Sequence, residues 1–318
     1  MLWVYILIFI ISCGLLYFAG EWLVKGLMRM ARFLGWREFV VAFFVMAFAT
    51  SIPNLFVGIT AAIHRIPQLS FGDVVGANVV DLTLAIAIAT LVAKGLPTES
   101  KLIQNSTIFT ISVAVLPLLL ILDGVLGRGD GVVLILIFLL YNLWLFSKKE
   151  RFTKIYDNQK IPILKEFGIF LKGLGKVILG IILLLVAAEG IVRSSQFFAE
   201  NLNLSLAFIG VLIVALGTSL PEVYLATVLA RKGETWMILG DLMGSVIIVS
   251  TLVLGIVALI YPIQITDFSP FAIARFFLII AALFFLFFVR SGKKITKKEA
   301  LFLLGIYITF VLVEILTR

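Results

Sequence analysis

Residues Ala47–Phe56 read AFATSIPNLF, and residues Ala215–Tyr224 read ALGTSLPEVY. The two stretches lie 168 residues apart. The same offset carries Glu21 onto Glu189, Gly72 onto Gly240, Asp73 onto Asp241 and Gly76 onto Gly244. One unit has therefore been duplicated without an insertion. The mismatch that matters most is polar, since Asn54 becomes Glu222. A polar cluster in apolar surroundings is costly and needs a reason.

Those surroundings are apolar along the whole chain. Of 318 residues, 62% are hydrophobic and 14% charged, and the mean hydropathy is +1.18. A soluble protein of this length cannot hide that much apolar surface, so the sequence reads as a polytopic membrane protein. A span needs roughly 20 mostly apolar residues. Ten runs qualify: residues 2–24, 39–61, 69–93, 104–122, 131–147, 174–195, 206–229, 237–261, 269–289 and 299–316. They are too long and too uniform for barrel strands, so an all-α membrane protein is expected. The opening MLWVYILIFIISCG has no basic leader and no small-residue cleavage site, and reads as the first span.

Five spans per repeat is an odd number, so the second repeat enters the membrane from the opposite side to the first. The expected architecture is thus ten transmembrane helices in two inverted-topology five-helix repeats, a plan common among secondary transporters. The first repeat covers residues 1–147, with motifs at 47–56 and 72–81. A basic linker follows at 148–172, and the second repeat covers 173–318, with motifs at 215–224 and 240–249. Lys and Arg gather after the odd-numbered spans: Lys25, Arg29, Arg32 and Arg37, then Lys148 to Lys165, then Arg290 to Lys298. The positive-inside rule makes those loops cytoplasmic, along with the linker, and puts both termini outside the cell membrane. The net charge of +8 is therefore a matter of loops and does not indicate a nucleic-acid partner.

One cysteine and one histidine rule out disulfide frameworks and Cys/His metal clusters. Cys13 reads as a small packing residue, and His64 as a solvated loop residue. The chemistry must come from oxygen. Pro53 and Pro221 each remove an N–H and clash with the carbonyl four residues back, which frees carbonyls near Ala49 and Gly217. Thr50, Ser51 and Asn54 surround the first break, and Thr218, Ser219 and Glu222 the second. A proline kink softened by hydroxyls would explain one copy. Two copies at a fixed offset, one holding a Glu, point to an all-oxygen site for hard cations such as Ca²⁺ or Na⁺. Asp81 and Glu222 are the acids expected deepest, without Lys or Arg in their own motifs. Asp73 and Asp241, nearer the expected helix starts, are expected to cap N–H groups there.

ATSIPN and GTSLPE, each followed by a G-D-x-x-G-[AS] segment, resemble the two α-repeats of the calcium/cation antiporter superfamily, and within it the prokaryotic sodium/calcium exchangers. The resemblance spans the whole transmembrane chain. It implies alternating access, in which spans 1 and 6 slide across a core containing spans 2, 3, 7 and 8. It also implies a midplane binding set of Ala47, Thr50, Ser51, Asn54, Ala77, Asn78, Asp81, Ala215, Thr218, Ser219, Glu222 and Ser245. Those exchangers normally carry Glu at both the Asn54 and Glu222 positions. Here the first is an amide, Val249 stands where an acid or amide is common, and Ala77 replaces a serine. The acid pair becomes Asp81 with Glu222.

The function expected is secondary active antiport of small inorganic cations, Na⁺ against Ca²⁺, with no cofactor, no enzyme activity and no obligate protein partner beyond the lipid bilayer. Exchange of a cation for H⁺ on the same fold is the first alternative. A cation channel is the second, and an intramembrane protease using Asp73, Asp81 or Asp241 the third.

Overall fold

The computed structural model describes residues 1–33, 46–147, 163–202 and 204–317. Among them, nine helices are long and apolar enough to cross a membrane, and a shorter apolar helix spans Ala47–Ile63. In chain order the helices are α1 (Leu2–Phe33), α2 (Ala47–Ile63), α3 (Pro67–Ala93), α4 (Lys101–Leu120) and α5 (Arg128–Ser147). After residues 148–162, which lie outside the described residues, come α6 (Ile163–Leu202), α7 (Leu206–Lys232), α8 (Thr235–Ile260), α9 (Ala272–Ser291) and α10 (Lys297–Leu316). The first seven residues of the expected span 39–61 also lie outside the described residues.

Helix α6 starts at Ile163, nine residues before the expected end of the linker at 172. In sequence, Ile163, Leu164, Phe167, Phe170 and Leu171 recur at helical spacing among Lys165, Glu166 and Lys172. That amphipathic pattern favours helix although its average polarity resembles a linker.

The offset of 168 is visible in the backbone as well. Helix α3 widens into a π-helical turn at Val80–Ala85, and α8 does the same at Ile248–Val253. In both, a threonine hydroxyl turns back to a carbonyl, Thr83 to Val79 and Thr251 to Ile247. Helix α7 has a third π turn at Ile209–Val214. The two prolines are accommodated differently. Pro53 sits inside an uninterrupted α2. Helix α7 breaks at Ser219 and resumes at Leu220, with Pro221 in the first turn of the new segment, where a missing N–H costs nothing.

Packing divides the molecule into two units. Helices α1 and α6 lie along each other. Their cluster of Leu16, Ala19, Leu23, Leu184, Ala187 and Ile191 reaches α2 and α7 through Ile52, Val57 and Val214. The remaining helices share a second core, in which α3 and α8 are the most enclosed. Close backbone approach sets the α3–α7 contact. A Cβ at Gly76 would lie 2.1 Å from the Val211 carbonyl oxygen, and one at Gly210 would lie 2.5 Å from that of Leu69. Trp3, Leu7, Ile10, Leu140, Leu143, Phe287 and Leu312 stay exposed on outward faces, as a surface against lipid tails requires.

Two short ribbons tie the halves together, one at each end of the bundle. The loop after α3 holds β1 (Leu96–Pro97), the loop after α4 holds β2 (Val125–Leu126), the loop after α8 holds β3 (Ile263–Gln264) and the loop after α9 holds β4 (Lys294–Ile295). β1 pairs antiparallel with β4 and β2 with β3, so each ribbon joins a loop of one repeat to a loop of the other.

Candidate cation-binding centre

Helices α2, α3, α7 and α8 bring the polar residues of both repeats together. Thr50, Ser51, Asn54, Asn78, Asp81, Thr218, Ser219, Glu222 and Ser245 are all buried to within 1% of full enclosure. Two hydrogen-bonded groups form among them. In the first, the Asn54 amide Nδ2 donates to Asp73 Oδ2 at 3.2 Å and to Thr218 Oγ1 at 3.0 Å. Thr218 in turn donates to Asp73 Oδ1 at 2.7 Å. In the second, Ser51 and Ser245 hydroxyls lie 3.2 Å apart, and Ser245 Oγ donates to Glu222 Oε1 at 3.3 Å.

The other expected residues are placed around these groups. The Ala47 carbonyl accepts from Ser51 at 2.7 Å and from Thr50 at 3.3 Å. The Ala215 carbonyl accepts the Ser219 amide at 3.0 Å and has the Thr218 hydroxyl at 3.2 Å. Asn78 turns its Nδ2 across the molecule to Ser250 Oγ at 2.8 Å. Asp81 sits beside Ser245, close enough to Asp73, Glu222 and Asp241 for their charges to act on one another. Ser219 is buried there too but makes no side-chain hydrogen bond among the described residues, because Ala77 stands where Ser245 would be in the mirror half.

Asp73 and Asp241 do not cap helices. Helix α3 begins at Pro67 and α8 at Thr235, which places both aspartates well inside their helices and fully buried. Proline at the first turn lets α3 start earlier than hydropathy alone suggests. The two acids therefore belong to the polar centre. Their repetition at the 168 offset was the available signal. Ser250 was also missed, since its partner Asn78 lies across the repeats at a different spacing.

Both oxygens of Asp81, both of Asp241, Oε2 of Glu222 and Oδ1 of Asn78 are buried without a hydrogen-bond donor from the protein. The Thr50 hydroxyl lies beside Asp241 and is 3.3 Å from the Ala47 carbonyl. The ion pairs among the described residues are Glu21–Lys25, His64–Glu189 and Glu189–Arg193, none of them with Asp81, Asp241 or Glu222. Among the described residues no three Asp, Glu, His or Cys side chains converge as a ready-made metal cage. Hydroxyls and main-chain carbonyls must therefore complete any coordination shell.

The sodium/calcium exchanger protein family matches this chain over residues 4–147 and 172–316. The chain belongs to that family. As a member of the sodium/calcium exchanger family it is a multi-pass membrane protein and a secondary active cation antiporter, not an enzyme. The sodium/calcium exchanger MaX1 of Methanosarcina acetivorans is 27% identical, over 98% of this chain and 99% of that protein. The inner membrane protein YrbG of Escherichia coli is 26% identical, over 84% and 82% respectively. Structures of the sodium–calcium exchanger NCX_Mj superpose with a TM-score of 0.68 at 26% identity, covering 98% of both chains. The fold is that exchanger's inverted pair of five-helix repeats.

Proposed function

We propose that this exchanger moves Na⁺ against Ca²⁺ by alternating access at the centre between α2, α3, α7 and α8. The observation that carries the reading is the set of buried oxygens on Asp81, Asp241, Glu222 and Asn78 that lack a protein donor. A buried carboxylate without a partner costs several kcal/mol, and no Lys or Arg among the described residues pairs with these. A transported cation supplies the missing charge. Ca²⁺ takes about six to eight oxygens, neutral as well as anionic, and Na⁺ is a hard cation of the same preference. Glu222, Asp81 and Asp241 would provide charge, Thr50, Ser51 and Ser245 hydroxyls, Ala47 a carbonyl, and Asn78 its amide oxygen. Asn54, Ala215, Thr218 and Ser219 line the same centre. MaX1 is named a sodium/calcium exchanger, and NCX_Mj was studied soaked with Na⁺ and Sr²⁺.

The two repeats, residues 1–147 and 173–318, would work as mirror halves around this centre, joined by the 148–172 segment on the cytoplasmic side, with both termini outside. Clustered Lys and Arg after the odd-numbered spans support that orientation. The bilayer is the one partner required, with no cofactor, nucleic acid or protein subunit. Coupling arises because Na⁺ and Ca²⁺ compete for the same oxygens, and because a centre carrying uncompensated charge crosses between states unfavourably.

Radiolabelled Ca²⁺ uptake into proteoliposomes loaded with Na⁺ tests this, beside Glu222→Gln vesicles. Uptake that requires an outward Na⁺ gradient and falls at least tenfold in the variant is expected. Uptake driven equally by a proton gradient would move the reading to cation/H⁺ exchange, since the same donor-less carboxyls accept protons. No Ca²⁺ flux under any gradient would overturn it.

A further inference from the structure

The mirror relation between the halves holds for residue positions but fails for hydrogen bonds. Adding 168 carries Asn54 and Asp73 onto Glu222 and Asp241, and subtracting it carries Thr218 onto Thr50. Each trio combines two residues of one repeat with one of the other. In the Asn54 trio both carboxylate oxygens of Asp73 have a donor. An amide nitrogen has two N–H groups, and Asn54 directs one to Asp73 Oδ2 and one to Thr218 Oγ1, while Thr218 donates on to Asp73 Oδ1. The Val214 and Ala215 carbonyls, at 3.1 and 3.2 Å, compete for the same hydroxyl proton at longer range.

In the Glu222 trio nothing plays the part of the amide. Glu222 brings only oxygens, neither oxygen of Asp241 has a donor at hydrogen-bond geometry, and the Thr50 hydroxyl, although beside Asp241, is 3.3 Å from the Ala47 carbonyl. Asp81 adds two further donor-less oxygens near by. Two positive-ended N–H groups on one side thus do what only a cation or protons can do on the other.

We propose that the Asn54 amide is a built-in substitute for a bound cation, so that this exchanger holds its ions on the Glu222–Asp241–Asp81 side alone and carries fewer driving ions per cycle than two equivalent sides would hold. Asn54 is then a specificity-determining residue that sets the ion count, and Asp73 and Thr218 serve it and bind no ion. This rests on the antiport reading above and deepens it.

The test is Asn54→Asp, nearly isosteric, which removes both donors and sets a second carboxyl against Asp73. Coupling ratios are read in proteoliposomes from the membrane potential at which net Ca²⁺ flux vanishes. The ratio of driving cation to Ca²⁺ is expected to rise by about one in N54D. An unchanged ratio in N54D would overturn the proposal.

A second arm stands if N54D does not fold or if wild-type protein shows no Na⁺-driven flux, the outcome that would sink the antiport reading by itself. Na⁺, Ca²⁺, Mn²⁺ and Mg²⁺ are titrated onto purified wild-type protein, Asp73→Asn and Asp241→Asn. The tightest cation is expected to weaken at least tenfold in D241N and less than threefold in D73N. Equal losses in the two would show that both sides hold ions and that Asn54 substitutes for none.

Discussion

His64 Nε2 lies 3.0 Å from Glu189 Oε2, so the residue that ends α2 in the core is fastened to α6 in the peripheral pair. Glu189 also holds Arg193 one turn on, as Glu21 holds Lys25 at the mirror position in α1. The mirror of His64 is Lys232 at the end of α7, which is exposed while Glu21 is on Lys25. The contact between core and peripheral pair is therefore made in one half and not in the other. Half-exposed pairs of this kind are worth about 0.2–1 kcal/mol. His64→Ala and Glu189→Gln are each expected to change the ratio of the two access states by no more than about fivefold, in the same direction. The double variant should add nothing to Glu189→Gln, because that change already removes the His64 contact together with the Arg193 pair. Ca²⁺ uptake rates measured from each membrane face give that ratio, and additive effects would show that the pair is not coupled.

Gly76→Ala should damage folding, not ion selectivity. The new Cβ would meet the Val211 carbonyl oxygen at 2.1 Å and the Ala215 Cβ at 2.6 Å. The obstacle is backbone held in a π turn, which cannot swing aside as a flexible side chain does. Overpacking of this sort costs about 1–3 kcal/mol or more, and the melting temperature in detergent should fall by roughly 5 °C or more. Gly14→Ala in α1, where a Cβ meets nothing within 4 Å, is the control and should leave it unchanged.

The duplication, the helical class and the grouping of polar residues were legible because the 168 offset and the apolar runs are properties of residue order. The π turns were not. VDLTLA at 80–85 and IVSTLV at 248–253 carry no pattern that separates them from ordinary apolar helix. Asp73 and Asp241 depart from the expected capping role because that role depends on where a helix starts, and the actual starts at Pro67 and Thr235 move both acids into the interior. The sequence marks His64 as a solvated loop residue, yet it is only partly exposed and its partner is 125 residues away. The Asn54 difference was visible in sequence, but its donation to Asp73 and Thr218 needed three helices in place.

Ser245 carries the link between Ser51 and Glu222, and Ser245→Ala should break it. A hydrogen bond to a charged group is worth about 1.5–3 kcal/mol, so Ca²⁺ affinity should fall at least about tenfold. Ala77→Ser would add the mirror hydroxyl near Ser219, on the side where Asp73 is already satisfied. That change should alter affinity less than about threefold. Titration of both variants with Ca²⁺ separates the two expectations, and a larger effect from A77S would mean that the Asn54 side takes part in ion binding.

Val249 is the mirror position of Asp81, fully buried in the matching π turn of α8. If the centre were symmetric, a carboxylate could be moved from one position to the other without loss. Asp81, however, lies near Glu222 and Asp241, where donor-less oxygens remain, whereas in the mirror trio of Asn54, Asp73 and Thr218 both oxygens of Asp73 already have donors. Asp81→Asn should therefore weaken Ca²⁺ at least tenfold, and adding Val249→Asp should leave it within about twofold of the single variant. The transplanted acid would also bear an insertion cost of roughly 2.5–3.5 kcal/mol with no ion to offset it, so the double variant should melt lower than D81N. Restored Ca²⁺ affinity in the double variant would place the ion on the pseudo-two-fold axis and remove the asymmetry inferred from Asn54.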